Sequence, residues 1–78
     1  MTRTEIFEEL KEIMQQNYEI NPDKIAEKAT IIEDIGVVSL EFMNFILDVE
    51  KKFDIIYNFE VNIDTMEDLI EFILSKNN

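Results

Sequence analysis

The residue best placed to do chemistry is Ser39, within the short stretch GVVSLEF from Gly36 to Phe42. Gly36 is the only glycine of the chain, and three residues later Ser39 opens an apolar-rich segment. A serine at the start of a helix commonly caps the free backbone N–H groups of the first turn. A serine hydroxyl can also act as a nucleophile, but only when a neighbouring base activates it. The rest of the sequence has to decide between a cap and a functional hydroxyl.

The composition removes most of the alternatives to Ser39. The chain has no cysteine and no histidine. The absence of cysteine excludes disulfides, thiol catalysis and thiolate metal sites, and it is compatible with a reducing cytoplasm. The absence of histidine removes the commonest general base and the commonest metal ligand. Conventional catalytic triads and zinc sites are therefore excluded.

The acidic residues offer two further kinds of site, and both are rejected. Paired carboxylates can hydrolyse glycosides, but among 18 acidic residues on so small a chain such pairs are usually solvated surface. The segment from Asp48 to Glu60 contains acidic residues and has about the length of a calcium-binding loop. It lacks the alternating Asp/Asn ligands and the central glycine of an EF-hand loop.

Charge and length limit the partners and the location of the protein. The net charge is −11, which repels nucleic acid and attracts basic partners. No run approaches the ~20 apolar residues that a membrane span requires, and the N-terminus has no signal-peptide core. We therefore expect one cytoplasmic, monomeric domain over residues 1–78, without nucleic-acid binding or a membrane span.

The first half of the chain predicts one helix followed by a long loop. Thr2 and Glu5 have capping-box spacing, and apolar residues then recur at helical intervals to a helix end near Asn17. Asn21-Pro22 can start a short turn. The loop continues to Val38 and is expected to be anchored by its isoleucines, Ile25, Ile31, Ile32 and Ile35.

The second helix, predicted from about Leu40 to Lys52, has two apolar stripes. At 100° per residue, one stripe holds the residues expected in the core, Phe42, Phe45, Ile46, Val49 and Phe53. The opposite side carries a second set, called here the outer stripe: Leu40, Met43 and Leu47. The flank between the stripes carries Glu41, Asp48 and Lys52.

The end of the chain predicts a short helix and a long one. The segment DIIYNFEVNID is ambiguous, and we favour a loop with a short helix around Phe59 to Ile63 over an unpaired strand. Thr65 then caps the last helix, with Asp68 at capping-box spacing. The predicted fold is all-α: a small antiparallel bundle of three main helices plus one short helix, with a long first loop.

The segment TIIEDIGVVSLEFMNFILDVEKKFDI resembles the acyl carrier protein family, including peptidyl carrier domains. The family pattern is an acidic or polar residue, Asp-Leu-Gly, two residues and Ser-Leu, then an amphipathic helix followed by Phe-Asp or Phe-Gly. This chain has Glu33-Asp34-Ile35-Gly36, then Ser39-Leu40, and later Phe53-Asp54-Ile55. The long first loop and the Thr65-capped helix also stand where the family has them.

The resemblance implies a function for Ser39. It would carry a 4′-phosphopantetheine arm, transferred from coenzyme A by a separate phosphopantetheinyl transferase that uses magnesium. The terminal thiol of the arm would hold acyl or aminoacyl groups as thioesters, so that the chain is a carrier and not an enzyme. The positive end of a helix tolerates the negative charge of the phosphodiester.

The resemblance also implies a docking face. Leu40, Met43 and Leu47 would contact acyl-loading and acyl-processing enzymes with basic docking surfaces, and Glu41 and Asp48 would guide those enzymes. Two alternatives stay open. The outer stripe could be a wide core stripe or pack under the long loop, and the acids could be an ordinary solvated flank.

Three departures from the family pattern favour a specialised carrier. Val38 stands where the family has Asp before the serine, an acid that helps the transferase recognise the carrier. Asn44, Lys51 and Lys52 replace residues that are often Glu, and the proline common after the Phe-Asp-Ile segment is missing. We expect dedicated partners in a fatty-acid, polyketide or nonribosomal-peptide-like pathway. The alternative is an acidic interaction module with the carrier fold and no arm.

Overall fold

Three α-helices form the framework of the computed structural model, which describes residues 1–77. They are α1 (Arg3–Tyr18), α2 (Ser39–Phe53) and α3 (Met66–Lys76). The linker between α1 and α2 contains a short 3₁₀ helix (Pro22–Lys24) and a single π-helical turn (Ile31–Ile35). Across the described residues, β structure is limited to one isolated antiparallel bridge between Thr30 and Thr65. The predicted all-α fold is confirmed.

Both predicted capping boxes are present. The Thr2 hydroxyl accepts the Glu5 N–H at 3.1 Å, while the Glu5 carboxylate accepts the Thr2 N–H at 2.8 Å. At the start of α3, Thr65 and Asp68 exchange the same pair of bonds at 3.1 and 3.0 Å. Because each exchange satisfies two backbone donors that the helix itself cannot, these residues fix where α1 and α3 begin.

The core lies between the three helices, and α1 packs against both of the others. The predicted inner stripe of α2 is confirmed, with four members buried and Phe42 half-buried. The buried helix residues are Ile6, Leu10 and Met14 of α1, Phe45, Ile46, Val49 and Phe53 of α2, and Met66, Leu69, Ile70, Phe72 and Ile73 of α3. Among residues 1–77 no polar or charged residue is buried, so the hydrophobic effect dominates the stability of the bundle.

The linker between α1 and α2 is anchored by fewer isoleucines than predicted. Ile25, Ile31 and Ile35 are buried, but Ile32 is 39% exposed. Ile31 and Ile35 are four residues apart on a helical turn and face the same side, whereas Ile32 points well away from that side. The prediction that Ile32 is an anchor is wrong.

The short helix predicted around Phe59 to Ile63 is also wrong. The backbone at Phe59 is left-handed, with φ of 60°, which interrupts any right-handed helix at that point. The segment is held instead by side chains: the Tyr57 hydroxyl donates to the Val61 carbonyl at 2.6 Å, and the Tyr57 ring packs edge-on against Phe72. The short helical elements of the described chain lie before α2, at Pro22–Lys24 and Ile31–Ile35.

Candidate functional site

The turn that precedes Ser39 is closed by an exchange of hydrogen bonds between Thr30 and Asp34. The Thr30 N–H donates to the Asp34 carboxylate at 2.9 Å, and the Asp34 N–H donates to the Thr30 hydroxyl at 3.0 Å. The first of these bonds, assisted by the Thr30 hydroxyl, lowers the pKa of Asp34. The carboxylate is therefore charged at neutral pH and holds the turn closed.

The same turn is tied to the start of α3. Backbone hydrogen bonds run from the Ile31 N–H to the Asp64 carbonyl at 2.9 Å and from the Met66 N–H to the Ala29 carbonyl at 3.1 Å. The Thr30–Thr65 bridge lies between them. The segment leading to Ser39 is therefore attached to the part of the chain that begins α3.

Gly36 redirects the chain from this turn toward α2. Its φ is +100°, and its N–H donates to the Ile31 carbonyl at 3.2 Å. The N–H of Val37 donates to the same carbonyl at 3.1 Å, and the Val37 side chain is buried. A Cβ added at Gly36 would meet no atom within 4 Å, so the requirement for glycine comes from the backbone angle and not from crowding.

Ser39 is the first helical residue of α2 and not its cap. The N-cap position belongs to Val38, which has extended backbone angles and makes no side-chain capping hydrogen bond to the described chain. Interpreting Ser39 as a plain cap is therefore wrong. The Ser39 side chain is exposed at a helix end whose first-turn N–H groups receive no side-chain acceptor. This end of α2 carries the positive pole of the helix dipole.

The outer stripe of α2 faces away from the core. Leu40 is 91% exposed, Leu47 51% and Met43 44%, so the alternatives of a wide core stripe or packing under the loop are wrong. Val38, beside Ser39, is 61% exposed. Ser39 is thus flanked by two exposed apolar side chains, and the outer stripe continues from them along α2.

The two acids predicted to guide partners are placed differently. Glu41 is exposed in the first turn of α2. Asp48 is half-buried, and its carboxylate accepts hydrogen bonds from the Tyr18 hydroxyl at 2.6 Å and the Asn17 amide at 3.4 Å. Asp48 therefore joins α2 to α1. The sequence does not reveal Tyr18 as a partner of Asp48, because the two residues lie thirty positions apart.

A groove that the sequence does not reveal lies where α2 ends. Leu47 and Lys51 form its helical side, and Ile55 and Ile56, after the helix, form the other. Asn44, Asp48, Glu50 and Asp54 complete its lining. Ile56 is 66% exposed, so the apolar surface extends past the last turn of α2.

Within residues 1–77, every helix is too short or too polar to span a membrane. No group of three or more acidic side chains is arranged to hold a metal ion in the same range.

Sequence relatives identify the family of the chain, although no protein-family model matches it. The acyl carrier protein of Wolinella succinogenes is 30% identical over 70 residues, which cover 87% of this chain and 92% of that protein. The acyl carrier protein of Caulobacter vibrioides is 31% identical over 75 residues, or 94% and 96% of the two chains. The chain belongs to the acyl carrier protein family.

A solved structure agrees with this assignment. The acyl carrier protein from Enterococcus faecalis matches with a TM-score of 0.75 at 26% identity, over 97% of this chain and 99% of that one. Acyl carrier proteins are carriers that interact with acyl-processing enzymes and are generally not enzymes themselves.

Proposed function

We propose that this acyl carrier protein bears 4′-phosphopantetheine on Ser39 and shuttles thioester-bound acyl or aminoacyl intermediates between biosynthetic enzymes. The observation that supports the proposal best is the position of Ser39, an exposed hydroxyl on the first residue of α2, at an end that no described side chain caps. The attached group would supply a terminal thiol, which the chain itself lacks because it has no cysteine.

The residues around Ser39 fit such a group. A phosphodiester on Ser39 would lie at the positive end of α2, close to first-turn N–H groups that no side chain occupies. Glu41 and the net charge of −11 oppose this attraction. Since the link would be covalent, the site has only to tolerate the anion, and a helix-dipole contribution of about 0.3 to 1 kcal/mol is sufficient help.

The carrier would interact with two classes of enzyme. A phosphopantetheinyl transferase using coenzyme A and magnesium would activate the Ser39 hydroxyl, since the chain has no histidine to do so. Acyl-loading and acyl-processing enzymes would dock on the outer stripe, whose exposed leucines offer an apolar centre surrounded by charge. Val38 and Lys51 in place of the family's usual acids support a specialised pathway with dedicated partners.

A second function is favoured by one observation. Val38 presents an exposed apolar side chain where the family has the acid that helps the transferase. A carrier fold that no transferase modifies would be an acidic interaction module without the arm, binding a partner through the same face of α2.

Titration of thiols separates the two functions, because the unmodified chain contains none. The protein is incubated with coenzyme A, magnesium and a transferase of broad specificity, freed of coenzyme A by gel filtration, and reacted with a thiol-specific chromophore. The carrier function predicts one thiol per chain for the wild type and none for Ser39→Ala. Ser75→Ala is the matched control and should still gain one thiol, since the Ser75 hydroxyl is occupied by a 2.7 Å bond to the Phe72 carbonyl. A wild type without thiol, also with a transferase from its own genome, would favour the module.

A further inference from the structure

The groove at the end of α2 has apolar walls and carries more negative than positive charge. Leu47 forms the wall on the helix, Ile55 and Ile56 form the other, and both Leu47 and Ile56 are more than half exposed. Its volume of about 540 Å³ is in the range of sites for small molecules. The rest of the lining is one amide, three carboxylates and one ammonium group, from Asn44, Asp48, Glu50, Asp54 and Lys51.

The three carboxylates of the groove keep their negative charge. The Asp54 side chain is exposed and makes no hydrogen bond or ion pair within residues 1–77. Asp48 accepts hydrogen bonds from uncharged side chains, among them the Tyr18 hydroxyl. One carboxylate oxygen of Glu50 accepts the Tyr57 N–H at 2.7 Å. None of these bonds brings a positive charge to a carboxylate, so the groove attracts a cation.

The backbone of α2 adds to this attraction. The groove lies where α2 ends, and the last carbonyl groups of a helix carry the negative pole of its dipole. Ser39 lies at the opposite end, where the pole is positive. The same helix therefore favours an anion at its first turn and a cation at its last.

An arm on Ser39 is long enough to reach the groove. At 100° per residue, Met43 and Leu47 lie within about 80° of Ser39 around the helix axis, so an exposed apolar path joins the two places. Ser39 and Leu47 are eight residues apart, which is about 12 Å along the helix. Phosphopantetheine has about 14 bonds between the serine oxygen and its sulfur, as many as four to five extended residues, and so spans about 16 Å.

We infer that the groove holds the cargo of the arm and favours an aminoacyl group. The ammonium group of such a cargo would lie near the Asp54 carboxylate, while its carbon chain contacts Leu47 and Ile56. A fatty-acyl group would gain only the apolar contacts, and a cargo that ends in a carboxylate would be repelled. The inference rests on the proposed carrier function and adds to it the class of cargo.

Lys51 opposes this preference and so provides a test of it. Its ammonium is the one positive charge among the described lining residues, against three carboxylates. Removing the charge of Lys51 should therefore strengthen the binding of an ammonium-ended cargo, and removing the charge of Asp54 should weaken it. Effects of opposite sign are expected only if charge inside the groove decides the preference.

The experiment attaches the cargo chemically, without a transferase. Because the chain has no cysteine, Ser39→Cys supplies a unique thiol. In the ¹⁵N-labelled chain this thiol is alkylated with a linker as long as the arm, ending in an amide-linked 4-aminobutyryl, pentanoyl or succinyl group. The three groups have nearly the same length and end in an ammonium, a methyl and a carboxylate group. NMR shifts of the Leu47, Ile55 and Ile56 amides at low salt report how far each cargo occupies the groove.

The ammonium-ended cargo should give the largest shifts at the groove and the carboxylate-ended cargo the smallest. We expect Asp54→Asn to weaken the binding of the ammonium-ended cargo about two- to fivefold and Lys51→Gln to strengthen it by a similar factor. Asparagine tolerates the left-handed backbone of Asp54, whose φ is 55°, so the first variant keeps the turn. Asp23→Asn is the matched control and should have little effect, because Asp23 is exposed in the Pro22–Lys24 turn and does not line the groove.

Three outcomes would overturn the inference: no shifts at the groove with any cargo, equal shifts with all three, or equal effects of Asp54→Asn and Asp23→Asn. The attachment needs no transferase, so its result is independent of the thiol titration. A wild type that gains no thiol, together with a groove that prefers the ammonium group, would reject the carrier and keep the cation-binding groove. One thiol per chain without that preference would keep the carrier and reject the aminoacyl cargo.

Discussion

The Tyr18 hydroxyl donates a 2.6 Å hydrogen bond to the Asp48 carboxylate and so joins the last residue of α1 to the middle of α2. The Tyr18 ring also packs edge-on against Phe45, with ring centroids 5.9 Å apart. Burial and the bond to Asp48 raise the pKa of Tyr18 well above its ordinary value. The phenol therefore stays protonated and keeps donating at neutral pH. This contact helps to hold in place the helix that presents Ser39.

Removing that hydroxyl should weaken the bundle. Tyr18→Phe keeps the ring against Phe45 but leaves Asp48 without its strongest donor, and we expect a loss of about 1 to 2 kcal/mol at pH 7 by urea denaturation. Because the folded-state pKa of Tyr18 is raised, this stabilisation is complete below the ordinary tyrosine value of about 10 and is lost as the pH rises above it. The gap between wild type and variant should close in alkali.

Tyr57→Phe is the control for this test, since that hydroxyl donates to an uncharged carbonyl, that of Val61. Its loss should be smaller, about 1 kcal/mol or less. If Tyr18→Phe has no more effect than Tyr57→Phe, then the bond to Asp48 does not hold α1 and α2 together.

The two stripes of α2 predict very different changes in the free energy of unfolding when a side chain is truncated to alanine. Phe45 is fully buried, and Phe45→Ala should cost about 3 to 5 kcal/mol, enough to unfold much of a small domain. Leu47 is half exposed on the outer stripe, and Leu47→Ala should change the free energy of unfolding by about 0.5 kcal/mol or less. Urea denaturation of both variants measures the difference. Equal losses would contradict the division of α2 into an inner and an outer face.

The capping box of α3 predicts a contribution to the free energy of unfolding that is lost in acid. The Asp68 carboxylate accepts the N–H groups of Thr65 and Asp64, both at 3.0 Å, and these bonds lower its pKa. Because the folded-state pKa of Asp68 is lowered, its charged carboxylate stabilises the fold at pH values above the ordinary aspartate pKa of about 3.9. This stabilisation is lost as the pH falls through the folded-state pKa. Asp68→Asn, which keeps the acceptor but not the charge, should cost roughly 0.5 to 1 kcal/mol at pH 7.

The same comparison repeated at falling pH is the check. The stability difference between wild type and Asp68→Asn should shrink below about pH 4, where the wild-type carboxyl takes up its proton. A difference that stays constant down to pH 2 would mean that the charge of Asp68 has no part in holding the start of α3.

Local sequence signals allow much of this fold to be predicted. The parts that depend on contacts between distant residues could not be predicted. Thr2 with Glu5, Thr65 with Asp68 and the spacing of the α2 stripes act within a few residues, so the sequence alone predicts them. The left-handed backbone at Phe59 does not follow from local preference, because a bulky residue rarely adopts it. It accompanies the contacts of Tyr57 with Phe72 and Val61, which the sequence does not reveal.

The candidate functional site likewise combines features set by neighbouring residues with features set by contacts between distant residues. The positions of Gly36 in the turn and of Ser39 at the start of α2 could be predicted from the sequence, because both depend on adjacent residues. The role of Asp48 could not, since its partner Tyr18 lies on another helix. The groove beside Lys51 could not be predicted either, because it forms only where the chain after α2 returns to place Ile56 near Leu47.

The residue before Ser39 offers a test of transferase recognition. Val38 is exposed with extended angles suited to an N-cap, so aspartate should fit without disturbing the core. We expect Val38→Asp to stabilise α2 by roughly 0.5 to 1 kcal/mol through a new cap and to accelerate charging by a broad-specificity transferase. Val38→Asn should supply the cap without the charge. Equal charging rates for the two variants would show that the transferase does not read the acid.

The attachment of phosphopantetheine to Ser39 can be tested by mapping the modified residue by mass spectrometry after reaction with coenzyme A, magnesium and a transferase. The chain has two serines, and trypsin separates them, with Ser39 in the peptide 29–51 and Ser75 in the peptide 53–76. Peptide 29–51 is expected to gain one phosphopantetheine on Ser39, while peptide 53–76 keeps its unmodified mass. Modification of Ser75, or an unmodified Ser39 with a transferase from the protein's own genome, would contradict it.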